Sequence, residues 1–142
     1  MKQKFAQAFM DTAHVWSKLS YCTRRQVGCV IVDPSFDDNQ HNIVGIGYNG
    51  TPPGDENVCE HTDTGLTKSS VIHAEINAID KLQNNDVDMT GMILFVTTAP
   101  CLPCAEEIEM SGISHVYYSE VYHTEQGLDY LRSNGITVTQ ID

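Results

Sequence analysis

The sequence predicts an α/β fold: a three-layer α/β/α sandwich around a five-stranded mixed sheet, formed by one domain over residues 1–142. Three observations predict it. Helical and strand patterns follow one another as α-β-β-α-β-α-β-α-β. Several strand segments are unbroken apolar runs, as strands covered on both faces must be. The first two strands are joined by a polar, turn-forming connector, which makes them an antiparallel hairpin.

Phe5, Phe9, Ala13, Trp16 and Ser20 recur at three- and four-residue steps, so residues 4–19 read as an amphipathic helix. His14 on that helix reads as a surface or packing residue. Val27-Gly28-Cys29-Val30-Ile31-Val32 is a buried strand, and Cys29 within it is a small core residue. Asp33-Pro34-Ser35 ends the strand, Asp37-Asp38-Asn39 supplies a turn, and residues 43–48 return as the second strand. The prolines and glycines of Asn49-Gly50-Thr51-Pro52-Pro53-Gly54 break the pairing. The loop from there to about Ser70 is long for a compact domain and leads into His73, which marks it as substrate-facing.

Ile76, Ile79 and Leu82 define a helix over residues 74–83, stopped by Asn84-Asn85-Asp86. Residues 92–97 are a third strand. A helix opened by Cys101 and Cys104 follows, with Pro103 in its first turn, and ends at Gly112. Residues 115–118 form a fourth strand. Residues 125–134 form a helix around Leu128 and Leu131, closed by Asn134-Gly135, and residues 136–139 form the fifth strand.

The 142 residues carry a net charge of −11, with 41% hydrophobic and 19% charged residues. This balance is globular rather than disordered. It opposes attraction to a long phosphate backbone, which depends on clustered Lys and Arg. No apolar run reaches the roughly 20 residues of a membrane span, and Met1-Lys2-Gln3-Lys4-Phe5 is followed by no apolar segment of a secretory signal. A cytoplasmic setting is therefore expected. Five cysteines, an odd count that includes a C-x-x-C pair, favour metal or thiol chemistry over a disulfide framework.

The chemistry is concentrated in His73-Ala74-Glu75 and Pro100-Cys101-Leu102-Pro103-Cys104. His73, Cys101 and Cys104 offer one imidazole and two thiolates, three ligands for a catalytic Zn2+ whose fourth position stays open. Glu75 stands two residues beyond the histidine, near enough to touch a water at the metal and carry its proton. Both ligand groups begin helices, whose positive ends favour thiolate over thiol. C-x-x-C alone also occurs in structural zinc and redox sites. Its combination with Pro100, with H-x-E and with two helix starts favours the catalytic reading.

H-x-E followed by P-C-x-x-C is the arrangement of zinc deaminases acting on nucleobases, and the chain resembles the cytidine deaminase superfamily. More closely it resembles the deoxycytidylate (dCMP) deaminases. Val71-Ile72-His73-Ala74-Glu75-Ile76-Asn77-Ala78-Ile79 is similar to that family's zinc-ligand helix. Residues 25–32 and 45–52 are similar to its first two strands, and Gly112-Ile113 and residues 118–122 to its later segments.

The resemblance implies hydrolytic deamination of dCMP to dUMP, supplying thymidylate synthesis, by a homohexamer activated by dCTP with Mg2+ and inhibited by dTTP. It implies that Asn49 hydrogen-bonds the sugar and that the backbone at Ala74 meets the base. It puts an effector site near Arg24, Arg25, Gln26, Tyr48, Gly50 and Asn77. Glu106, Glu107 and Glu109 make the helix after Cys104 acidic, so no phosphate contact is assigned there. Cys22 and Cys59 read as ordinary thiols. The resemblance also admits a second, structural zinc on Cys22, Cys59 and His61, as some members carry one. A tRNA adenosine deaminase and a non-catalytic nucleotide-binding zinc protein are the alternatives. The net charge weighs against the first and the presence of Glu75 against the second.

Overall fold

The chain was analysed as a computed structural model that describes residues 1–34 and 41–142. The turn expected at Asp37-Asp38-Asn39 lies outside the described residues. Helix α1 (Gln3–Ser17) buries Ala6, Met10, Ala13 and Ser17, one stripe at helical spacing. The aromatic stripe expected from Phe5, Phe9 and Trp16 is instead its flank, with Phe9 and Trp16 only partly buried. The helix also ends two residues before Leu19. Small side chains face the sheet because the backbones nearly touch: a Cβ on Gly28 would stand 2.0 Å from the Ala13 carbonyl oxygen.

The other elements are β1 (Gly28–Asp33), β2 (Asn42–Tyr48), α2 (Ala74–Asn84), β3 (Ile93–Thr98), α3 (Leu102–Ser111), β4 (His115–Glu120), α4 (Gln126–Ser133) and β5 (Thr137–Gln140). They form one five-stranded sheet in the order β2-β1-β3-β4-β5. β1 pairs antiparallel with both β2 and β3, whereas β3-β4 and β4-β5 are parallel, each linked by a crossover helix. The mixed sheet and hairpin expected from the sequence are present. Gly112 in the left-handed conformation ends α3, as expected.

The pleat sends alternate residues of each strand to opposite layers. Val30, Val32, Phe95 and Tyr117 pack against α1, with the Phe95 and Tyr117 rings stacked at 4.7 Å. Cys29, Ile31, Leu94, Val96 and Val116 face α2, α3 and α4. Full burial of each such aliphatic or aromatic side chain contributes roughly 1.5–3 kcal/mol. Among the described residues no helix is long and apolar enough to cross a membrane.

The register decides where a site can form. Gly28 opposes Tyr48, Cys29 opposes Val96, and Thr98 lies beside Glu120. One edge of the sheet therefore collects the start of β1 and the ends of β2, β3 and β4. The helix α2 begins at the same edge, since a Cβ on Gly47 would stand 2.3 Å from the Ala74 carbonyl oxygen. Helix α3 starts there too, four residues after β3. Carboxyl ends of parallel strands are where ligands bind in open α/β sheets.

Candidate active site

His73 and Cys101 occupy the N-cap positions of α2 and α3, and neither side chain caps its helix. N-caps are ordinarily Ser, Thr, Asp or Asn, whose oxygens accept from the first-turn N–H groups. Here an imidazole and a thiol stand in their place and turn toward each other. His73 Nδ1 lies 3.2 Å from Cys104 Sγ and 3.4 Å from Cys101 Sγ, and all three donor atoms fall within 4.8 Å of one another. Tetrahedral zinc, with bonds of about 2.0–2.3 Å to nitrogen and sulfur, would separate its ligand atoms by roughly 3.5 Å. The N/S donor set and its spacing fit that ion.

Glu75, in the first turn of α2, is 4% exposed, and burial pushes its carboxyl up to about 7. Cys101 is held well below the usual thiol range, first by a hydrogen bond from Cys104 and then by His73. Cys104 moves the other way because its S–H is the donor in that pair. The hydrogen bond with Cys101 raises His73 above its ordinary value. A thiol held low, an imidazole and a buried carboxyl pushed upward thus meet at one point.

His73, Glu75 and Cys101 line a cavity of about 320 Å³, within the range of small-molecule sites. Asn49, Ala74, Arg24 and Arg25 line it, as does Thr67 from the long loop. That loop therefore faces the cavity, as the sequence suggested. Glu75 is the sole carboxylate among the lining residues, against Arg24, Arg25 and His123. In a chain of net charge −11, two of the eight Lys and Arg residues lie at this cavity.

Asn49 has a second task that the sequence did not show. Its Oδ1 accepts from Val27 N at 2.9 Å, and its Nδ2 donates to the Arg25 carbonyl at 2.8 Å. The residue clasps the segment that carries Arg25. The remaining effector candidates do not line the cavity. Gln26 donates to the Ser20 carbonyl, Tyr48 stacks on Trp16, Gly50 bridges to Ile72, and Asn77 donates to the Tyr48 carbonyl.

Cys22 and Cys59 form a disulfide closing a separation of 37 residues, which corrects the reading of two ordinary thiols. The second-zinc set of Cys22, Cys59 and His61 differs in one member, since the donor atoms that gather there within 4.8 Å belong to Cys22, Cys59 and Glu60, with His61 outside the group. Glu60 is the residue beside the pair. Its carboxylate accepts from Thr23 N, Thr23 Oγ1 and Arg24 N.

Sequence reasoning also missed Thr98, Tyr122 and His123, which line the cavity, and Glu120, which binds Arg25. The strand expected to end at Tyr118 runs on to Glu120. An apolar run marks where a strand is buried, not where its pairing ends.

The fold and this donor set define the zinc deaminase class of α/β/α proteins. The chain belongs to the cytidine and deoxycytidylate deaminase family, whose zinc-binding region matches residues 3–120. It is 33% identical to the deoxycytidylate deaminase of Saccharomyces cerevisiae over 149 residues, covering 99% of this chain and 46% of the yeast protein. Against the deoxycytidylate deaminase of Homo sapiens it is 35% identical, covering 84% of this chain and 67% of that one. The chain thus spans about half of one relative and two thirds of the other. It is similar throughout to the crystal structure of the dCMP deaminase from cyanophage S-TIM5 in complex with dCMP and dUMP. The TM-score is 0.91 at 36% identity, over 99% of both chains.

Proposed function

We propose that the protein is a zinc-dependent dCMP deaminase, hydrolysing dCMP to dUMP and ammonia. The observation that carries this reading is the meeting of His73, Cys101 and Cys104 beside buried Glu75 at a nucleotide-sized cavity. The similarity to an enzyme bound to dCMP and dUMP supports the choice of base and phosphorylation state.

His73, Cys101 and Cys104 would hold the metal, which when bound supplies a water acidified enough to attack at neutral pH. Glu75 accepts the proton as that oxygen bonds to the amino-bearing ring carbon. It passes that proton to the adjacent ring nitrogen, then takes the second from the added hydroxyl as the carbonyl forms and gives it to the departing amine, so the C–N bond breaks with release of ammonia. A carboxyl titrating near 7 suits both halves of that transfer. Asn49 would offer the sugar the N–H and lone pair left beyond its backbone bonds, and the Ala74 backbone, in the cavity wall, would meet the base. Arg24 and Arg25 offer the cationic groups for the 5′-phosphate.

The family resemblance extends the proposal to activation by dCTP with Mg2+, inhibition by dTTP and a hexameric, cytoplasmic enzyme feeding thymidine nucleotide synthesis. Gln26, Tyr48, Gly50 and Asn77 belong to this part as effector candidates that act on the cavity from outside it.

Replacing the proton carrier tests the mechanism. Glu75→Ala should bind one zinc per chain by metal analysis, as the parent does, yet lose turnover by about a thousandfold. A zinc-loaded variant that remains active would remove Glu75 from the mechanism.

A further inference from the structure

The Arg25 side chain is held on three sides. Its Nη2 donates to Glu120 Oε1 at 2.6 Å and to Thr98 Oγ1 at 3.4 Å. Its guanidinium carbon stands 4.1 Å from the centre of the Tyr122 ring. Its own carbonyl is fixed by Asn49. The partners come from the end of β3, the end of β4 and the residues just after β4, while Arg25 leads into β1. Three strand ends thus converge on one guanidinium at the cavity mouth.

Stability does not account for this arrangement. The Arg25 and Glu120 side chains are 29% and 61% exposed, and exposed ion pairs of this kind contribute little to folding. Orientation does. A guanidinium has five N–H donors in a rigid fork. Glu120 and Thr98 both take Nη2, the limb that both bidentate edges of the guanidinium share, so among the described residues Nε and Nη1 remain as single donors on separate edges. Tyr122 covers one face of the plane and restrains rotation about the side chain, removing conformational freedom that ligand binding would otherwise have to quench. A guanidinium fixed in this way still offers a phosphate oxygen a charge-assisted hydrogen bond from Nε or from Nη1.

We infer that Glu120 and Tyr122 are positioning residues that aim Arg25 at a nucleotide's phosphate and thereby set the preference for a nucleoside monophosphate over the nucleoside. The inference rests on the deaminase reading for the identity of the nucleotide, and on the geometry for the rest. In this role Glu120 acts through its hydrogen bond. Its negative charge is not required, and a neutral acceptor at the same place serves.

The readout is the ratio of dissociation constants for deoxyuridine and dUMP, measured by calorimetry on the zinc-loaded protein, its Glu120→Ala, Glu120→Gln and Tyr122→Phe variants, Tyr122→Ala and Arg25→Ala. The parent should prefer dUMP by 100-fold or more. Arg25→Ala should lower the ratio about 30-fold, and Glu120→Ala and Tyr122→Ala about tenfold each. Glu120→Gln and Tyr122→Phe should keep it within about threefold of the parent. An equal weakening of both ligands would make Glu120 and Tyr122 merely structural and overturn the inference. So would a ratio that rises in Glu120→Gln, because the carboxylate would then be competing with phosphate. A parent that prefers dUMP but does not deaminate dCMP would sink the deaminase reading while the ratios still decide this one. A parent without preference between the two ligands would overturn the inference directly.

Discussion

Asn49 shows how one side chain can serve fold and site together. Its amide satisfies Val27 N and the Arg25 carbonyl while the residue is 8% exposed and faces the cavity. An orphaned buried backbone group costs about 1–3 kcal/mol. Asn49→Ala leaves two, and should lower unfolding free energy by about 2–4 kcal/mol in urea titrations at matched zinc loading. A purely ligand-facing asparagine would leave stability near the parent's. At this scale His73, Glu75, Cys101 and Cys104 were legible because their chemistry is packed into two short spacings. The clasp was not, because the N–H that donates to it and the carbonyl that accepts from it lie 22 and 24 residues away. Arg25 and Glu120, 95 residues apart, were hidden for the same reason. No spacing in a chain reports which strand ends meet.

Helices α2 and α3 matter through where they begin. Each presents a ligand at its N-cap, and the position of α2 is set by how closely it approaches β2. Gly47 permits that approach: a Cβ there would stand 2.3 Å from the Ala74 carbonyl oxygen and 2.8 Å from Ala78 N. Both obstacles are backbone, so α2 itself must move. Gly47→Ala should cost about 1–3 kcal/mol or more by thermal unfolding, and it should weaken zinc retention against a chelator because His73 moves with the helix. Gly50→Ala is the control, since nothing lies within 4 Å of a Cβ there. All nine elements were legible from apolar periodicity and turn residues, with ends displaced by one to two residues. The buried face of α1 was read correctly at Ala13 and missed at Ala6 and Ser17, which carry a weaker apolar signal than the aromatic residues beside them. Close packing selects small residues, and hydrophobicity does not report closeness.

Across the whole molecule the middle of the long loop of residues 49–73 is tied back to the segment of Cys22, Thr23 and Arg24. The Cys22–Cys59 disulfide is one tie, and Glu60, bonded to Thr23 and Arg24, is the other. Both hold the wall that carries the arginines. An odd cysteine count and a C-x-x-C pair argued against disulfides in the sequence, because pairing depends on how a 37-residue loop returns rather than on spacing. Under denaturing, non-reducing conditions a metal-stripped chain should titrate three thiols, from Cys29, Cys101 and Cys104. Five would mean that the bridge is absent. Closing such a loop should stabilise the chain by about 4 kcal/mol in the chain-entropy account, so a reductant should lower the melting temperature of the zinc-loaded protein.

The central claim is that this cavity deaminates a deoxycytidine monophosphate, and ammonia release tests it most directly. The zinc-loaded protein would be given dCMP, deoxycytidine and CMP in parallel, each with and without dCTP and Mg2+. The account predicts ammonia from dCMP, with far less from deoxycytidine and CMP, and a rate on dCMP that rises with dCTP. A dCMP rate indifferent to dCTP would keep the enzyme and remove its proposed activation. No ammonia from any of the three, with one zinc per chain verified, would contradict the account.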